Sequence, residues 1–337
     1  MDQENKNNEV IQSFGVNQGV PSIRLYEYEN VCGAVGDTEF PEEFCLNTIE
    51  MGTVVKNQGL VGACVACATS TAIEAVKLRS SLDLKEGEEL TEEIFNANKD
   101  RLFDNDEISE GYTYGTCRVE TSKNPGMNVA KALDYLRNQG TVPKKYFDIL
   151  EEMPEMKEIT SRFPELKEIA EKYRIESYTK VHNTNKTKRD NLIKDALMKY
   201  RVPLVCVSPS SFGGPHCICI VGWNDKTDSW KIKNSWGEKY GKKGIGEEKR
   251  SSISSEVYLL MDKEIKVPFN DVKKDDWFYS AVKHVYMSDL MNGRTETSFG
   301  PNEPMTRAEF ATVVSRLMEK LDERFENLNK VLEEKFN

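Results

Sequence analysis

The apolar pattern of this chain changes period part-way along, and that change limits the architectures open to it. Before about residue 200 the apolar residues recur at helical spacing. A small-residue helix is expected from about Cys64, with Ala66, Ser70, Ile73 and Lys77 on one side. MNVAKALDYLRN (127–138) reads as a helix closed by Gly140. Residues 155–174 read as a helix interrupted by Pro164. Residues 187–200 read as another, with Leu192, Ile193, Ala196 and Leu197 on its apolar face. Beyond it, VPLVCVSP (202–209), HCICIVGW (216–223), SWKIKNSW (229–236) and SEVYLLM (255–261) alternate or run apolar, as strands do. Helices first and strands later predict an α+β fold with separate helical and sheet halves. Residues 39–57 read as extended chain and turns. Residues 1 to about 20 are polar, rich in Asn and Gln, and are expected to form a mobile tail.

Several function classes are disfavoured. The 337 residues suffice for about two domains. With 46 basic and 56 acidic residues the net charge is −10, which argues against nucleic acid as a partner. No apolar run is long enough for a membrane span. The N-terminus MDQENKNNEVIQ has neither a basic head nor an apolar run, so the chain is expected to be cytoplasmic as synthesised. Residues 83–110 hold eleven acidic and three basic residues, read as a solvated face plus a loop. DNDEISEG within it lacks the spacing of a calcium-binding helix–loop–helix.

Eight cysteines in so long a chain are no disulfide scaffold, and reduced thiols are expected. One of them, Cys64, stands at the start of the expected helix inside QGLVGACVACA (58–68). Free amides and the helix dipole at such an end stabilise an anion and so activate a thiol. A thiolate nucleophile needs a base, and only three histidines are available: His182, His216 and His284. His182 and His284 read as surface residues. His216 heads a buried strand, and Asn234 follows near the end of the next. An Asn carbonyl can fix one nitrogen of the imidazole and leave the other for Cys64. Gln58, six residues before Cys64, can help the Cys64 N–H hold an oxyanion. Cys67, Cys206 and Cys219 read as small apolar fillers. Two rival readings use the same residues. Cys64 and Cys67 spell a CxxC redox pair, without the βαβ context that pair needs. Cys64, Cys67, Cys217 and His216 could ligate zinc, although no second CxxC exists. No metal or organic cofactor is expected.

Gln58-Gly59, Ala63-Cys64, His216 and Asn234-Ser235-Trp236-Gly237, in this order, resemble the papain family of cysteine peptidases. Leu90-Thr91-Glu92, Gly126 and the helix ending at Gly140 match more weakly, and the resemblance covers about residues 39–262. It implies a two-lobed fold, a helical lobe against an antiparallel β-barrel lobe. It implies Cys64 as nucleophile, His216 as general base and acid, Asn234 as the orienting residue and Gln58 as oxyanion donor. Trp236 would cover the His–Asn bond, Gly126 would pair with substrate backbone, and Val129 and Cys217 would line a specificity pocket. The chain departs from the family pattern at Val65, where Trp is usual, at Met127, where Gly is usual, and at Pro215, where a polar residue is usual. Val61 and Asn124 stand where a disulfide would fall. No long inhibitory prosegment precedes the catalytic unit, although residues 1–38 could serve as a short one.

Residues 268–318 resemble a single S-layer homology module through Phe269-Asn270-Asp271-Val272, Trp277, Ala281-Val282, Gly293, Phe299-Gly300-Pro301 and Thr306-Arg307-Ala308-Glu309-Phe310. Such modules bind anionic, often pyruvylated, bacterial cell-wall polysaccharide, usually as three copies. Arg307 is the expected partner for a ketal carboxylate, whereas Trp277 is expected in the core. Thr306 and Glu309 are spaced as a capping box. In the terminal segment Leu321, Phe325, Leu328 and Leu332 form a short heptad seam, which suggests a homo-oligomer. The expected divisions are a tail (1–38), a papain-like domain (39–265), an S-layer homology module (266–318) and an amphipathic helix (319–337). The expected function is a papain-like peptidase acting on a peptide or protein and tethered to cell-wall polysaccharide. The alternatives are a catalytically idle binding or structural protein of a cell surface or phage particle, and a peptidase that never reaches a wall.

Overall fold

The computed structural model describes residues 27–32, 38–52, 54–98, 107–118, 126–150, 165–208, 212–262, 267–273, 275–287 and 290–336. The tail expected up to residue 20, Asn124 and the first part of the helix expected at 155–174 lie outside them.

The second half of the body is one antiparallel sheet. Its strands are β1 (Glu43–Cys45), β2 (Ser177–Lys180), β3 (Leu204–Ser208), β4 (His216–Asn224), β5 (Ser229–Lys233), β6 (Ile245–Lys249) and β7 (Val257–Met261). Their order is β2-β7-β3-β4-β5-β6, with β1 paired to the far end of β4. All four apolar runs read from the sequence are strands. The expected barrel is an open sheet instead: among the described residues β2 and β6 do not pair. The sequence IGEEK of β6 keeps charged side chains at the water, as an edge strand does. Gly222 is required where β1 crosses β4, since a Cβ there would lie 2.2 Å from the Phe44 carbonyl oxygen.

The helices of the body are α1 (Tyr28–Cys32), α2 (Cys64–Ser81), α3 (Glu92–Ala97), α4 (Glu110–Cys117), α5 (Val129–Asn138), α6 (Lys167–Lys172) and α7 (Lys186–Tyr200). Helix α2 packs on β4 and against α4 and α5. It is buried almost all round. Alanines 66, 68, 72 and 75 let neighbours approach it closely. Asn128 and Asn185 cap α5 and α7 through their side-chain oxygens. The segment expected to be tail holds a docked turn: Tyr28 is fully buried, and its hydroxyl donates to Asp195 at 2.6 Å.

After β7 comes a small unit with α8 (Tyr279–Met287) and α9 (Arg307–Phe336). Val267, Phe269, Val272 and Val282 are its buried apolar residues. The Asp271 carboxylate accepts from the Phe299 and Gly300 amides and from the Ser298 hydroxyl, which ties the first turn to the loop before α9. The capping box is present: Thr306 Oγ1 accepts from the Glu309 amide at 3.2 Å, and Glu309 accepts from the Thr306 amide at 2.7 Å. Two expectations are corrected. The division at 318/319 falls inside one continuous 30-residue helix, because no Gly or Pro interrupts residues 307–336. Trp277, expected in the core, is 93 % exposed, because so small a unit cannot surround an indole. No helix among the described residues is long and apolar enough to cross a membrane.

Candidate active site

Cys64 is the first residue of α2 and has no exposed surface. The helix start is left open by its sequence. Ala63 at the N-cap provides no capping side chain, and the first turn holds no acidic residue. The positive end of the helix therefore bears on the Cys64 sulfur. Gly59 takes a left-handed turn at φ +57, and Val61 and Ala63 lead the chain into α2.

His216 begins β4, and Asn234 directly follows β5. Pairing of these strands brings the two side chains together. His216 Nε2 donates to Asn234 Oδ1 at 2.8 Å, so the ring carries its proton there and presents Nδ1 as the basic atom. The Ser235 amide also donates to Asn234 Oδ1 at 2.7 Å and fixes the acceptor. The Trp236 ring lies against the imidazole with centroids 5.0 Å apart, and Phe212 approaches it edge-on at the same distance. Burial lowers the His216 pKa to about 4, against a smaller upward pull from the bond to Asn234.

Gln58 is fastened to the same loop. Its amide donates to the Ser235 carbonyl at 2.9 Å, and its Oε1 accepts from the Ser235 hydroxyl at 2.6 Å. Its Nε2 donates to the Val61 carbonyl at 2.9 Å. A bridge between Asn57 and Trp236 continues the pairing. Gln58 and Asn234 are thus held by one short two-stranded contact.

Beneath this contact lies a buried ion cluster that the sequence reading missed. Lys56 Nζ stands 2.6 Å from Glu74 of α2 and 3.0 Å from Glu110 of α4. Lys144 reaches Glu107 at 2.8 Å and Glu110 at 3.3 Å. Burial works to lower the Lys56 pKa, but the charges of Glu74 and Glu110 outweigh it and leave Lys56 raised and charged. Lys233, just before Asn234, donates to the Met51 and Gly52 carbonyls, and burial lowers its pKa to about 8. The cluster pins the residue two before Gln58 to α2 and α4. It also corrects the reading of residues 83–110 as solvated, since Glu110 is buried. One signal was available: Glu74 is an acid within a helix stretch of Ala, Ile and Val.

The other expected residues are dispersed. Cys217 follows His216 in β4 and is fully buried. Burial, and then the nearby Cys64, raise its pKa. Val129 opens α5 and is also buried, whereas Gly126 is half-buried just before it. Cys67, Cys206 and Cys219 are buried in the core as fillers; Cys219 donates to the Ala68 carbonyl. Arg307, the first residue of α9, is exposed in the C-terminal unit. Among the described residues no cluster of His, Cys, Asp and Glu suits a metal ion.

Comparison with known proteins divides the chain at the same place as the fold. The S-layer homology domain profile matches residues 268–311. The chain is 39% identical over 59 residues to a cellulosome-anchoring protein of Acetivibrio thermocellus, covering 18% of this chain and 13% of that protein. It is 41% identical over 51 residues to a cell surface protein of Thermoanaerobacter kivui, covering 15% of this chain and 7% of the other. The chain therefore spans only a small part of these curated relatives. In structure it is similar to xylellain, a cysteine protease from Xylella fastidiosa, with a TM-score of 0.55, 18% identity and coverage of 75% of this chain and 97% of that one. It is also similar to procathepsin L2 from Tenebrio molitor larval midgut, with a TM-score of 0.51, 18% identity and coverage of 74% and 78%. These likenesses establish the α+β fold. The papain family cysteine protease profile spans residues 41–258, well over half of the chain, and on that match the chain belongs to the papain family of cysteine proteases, with an S-layer homology domain behind its papain-like unit.

Proposed function

We propose that the chain is a working peptidase whose Cys64, His216 and Asn234 act as a triad. The hydrogen bond from His216 Nε2 to Asn234, next to a Cys217 that lies near Cys64 at the start of α2, carries this reading. His216 Nδ1 takes the Cys64 thiol proton, and the thiolate so formed attacks a peptide carbonyl carbon as the C=O electrons move to oxygen. The Cys64 N–H and the Gln58 side-chain amide hold that oxyanion. His216 Nδ1–H gives its proton to the leaving amine as the C–N bond breaks, which leaves a thioester. Water, deprotonated by His216, then releases the acid and regenerates the thiolate. Trp236 screens the His–Asn bond from water, and the cluster around Lys56 holds Gln58 in place.

The S-layer homology domain holds this peptidase to an anionic cell-wall polysaccharide, with Arg307 paired to a carboxylate of the polymer. Its relatives, a cellulosome-anchoring protein and a cell surface protein, support a surface location. A second reading is a binding protein with an idle centre. The complete burial of Cys64 and His216 favours it, because a substrate must first uncover them. Labelling with an epoxysuccinyl thiol-protease inhibitor separates the two. A working centre is modified stoichiometrically at Cys64 and loses peptide hydrolysis in proportion. A folded chain that leaves Cys64 unlabelled contradicts the peptidase reading.

A further inference from the structure

Helix α9 turns its apolar stripe away from its own domain. Glu309, Thr312, Val313 and Arg316 line the cavity between α9 and the loop at 291–305, so this side faces the domain. The stripe on the opposite side is open: Phe310 is 62 % exposed, Leu317 43 %, Met318 58 % and Leu321 40 %. Among the described residues no other helix or strand packs along α9. Thirty residues of α-helix are about 45 Å long. A helix of that length with an uncovered apolar stripe needs a partner surface.

The sequence specifies what kind of partner. Ala311, Val314, Met318, Leu321, Phe325, Leu328 and Leu332 follow one another at steps of three and four without a break. The seam therefore starts inside the domain's own helix and runs for three heptads. That spacing matches a left-handed supercoil of helices with the same repeat, which a further copy of α9 provides. The flanking positions fit a copy as well. From residue 310 to residue 331 only Asp322 and Arg324 among them are charged, and with opposite sign. Glu319, Glu326 and Glu333 fall one position further out, where a coiled coil meets water.

We propose that α9 is an assembly helix that joins copies of this chain through the seam Ala311–Leu332. The domains enter the assembly through the first turns of the same helix, so they are presented as a fixed cluster. A polysaccharide with repeated sites then meets several domains at once, and binding tightens without any new contact in a single domain.

The test uses the full chain under reducing conditions, with mass measured by sedimentation at about 50 µM. The native chain is expected to run as a dimer or larger species. The double variant Met318→Asp and Leu321→Asp, changed at exposed positions, is expected to run as a monomer. Its circular dichroism and inhibitor labelling should match the parent, which shows that the body is folded. Glu319→Gln, on the outer face, is expected to leave the assembly intact. A native chain that is monomeric overturns the proposal, even if it captures another protein. So does a double variant that assembles like the parent. Neither result bears on whether Cys64 is catalytic.

Discussion

The body and the C-terminal domain treat their aromatic residues in opposite ways. In the body Trp223 and Trp230 are fully buried; Trp223 stacks on Phe44 with centroids 4.8 Å apart, and its indole donates to the Pro41 carbonyl. In the domain Trp277 is almost wholly exposed, as is most of Phe310. The body is large enough to enclose its apolar groups and to bury an ion cluster under its site. The small domain encloses only a few of its own, Phe269 among them, because surface falls more slowly than volume as a fold shrinks. A self-contained region can keep a histidine and a cysteine out of water. An under-covered region displays surfaces that suit partners.

The largest break in that contrast comes from the proposed nucleophile. Cys64→Ala should reduce peptide hydrolysis by at least about a thousandfold, since only binding and oxyanion stabilisation remain. The melting temperature and polysaccharide binding should stay at parent values. Activity within tenfold of the parent would show that another group does the chemistry. Next in size is Trp223→Ala, which should cost about 3–5 kcal/mol by leaving a cavity beside Phe44, as read by urea unfolding.

Acid should act on the body through His216. Burial holds its pKa at about 4, below the 6.5 of an ordinary imidazole. Between those values the unfolded chain binds more protons than the folded one. Stability is therefore complete above pH 6.5 and falls as pH drops through 4, by roughly 3 kcal/mol for this group. Unfolding curves of Cys64→Ala at pH 7, 5 and 4, with and without His216→Phe, isolate the effect. An unchanged pH slope in the double variant would place the acid sensitivity elsewhere.

Effects in the domain should be smaller and should leave the body untouched. Arg307→Ala should weaken pelleting with pyruvylated cell-wall polymer about tenfold, the size expected for one charge-assisted pair. Equal pelleting of parent and variant would remove Arg307 from the contact. Smallest of all, Trp277→Ala should change stability by less than about 0.5 kcal/mol. A cost near that of Trp223→Ala would mean that the exposed indole is covered in solution.

The same contrast explains what the sequence reveals. Cys64, His216, Asn234 and Gln58 are legible because each sits in a short run whose neighbours fix its local geometry. The strands are legible because buried β4 and β7 leave unbroken apolar runs. The ion cluster is not legible, because Lys56, Glu74, the Glu107–Glu110 pair and Lys144 belong to four separate segments and meet only in the fold. Trp277 misleads because placing large aromatics inside is a sound rule only where there is an inside large enough. The division at 318/319 misleads because it follows the length of the domain, whereas the helix stops only where its residues stop it.

The register of β7 has a mechanical consequence. The chain leaves β7 at Met261 and reaches the domain by Val267. All five residues of β7 are buried, and the strand lies between β2 and β3, antiparallel to both. Its ladder bonds run perpendicular to the strand. A pull on the C-terminal domain therefore loads β7 along its length, and its bonds to both neighbours share the force in shear. They are not peeled apart singly. Under tension the sheet that carries His216 resists as a unit, and the strand taking the load is two places from β4.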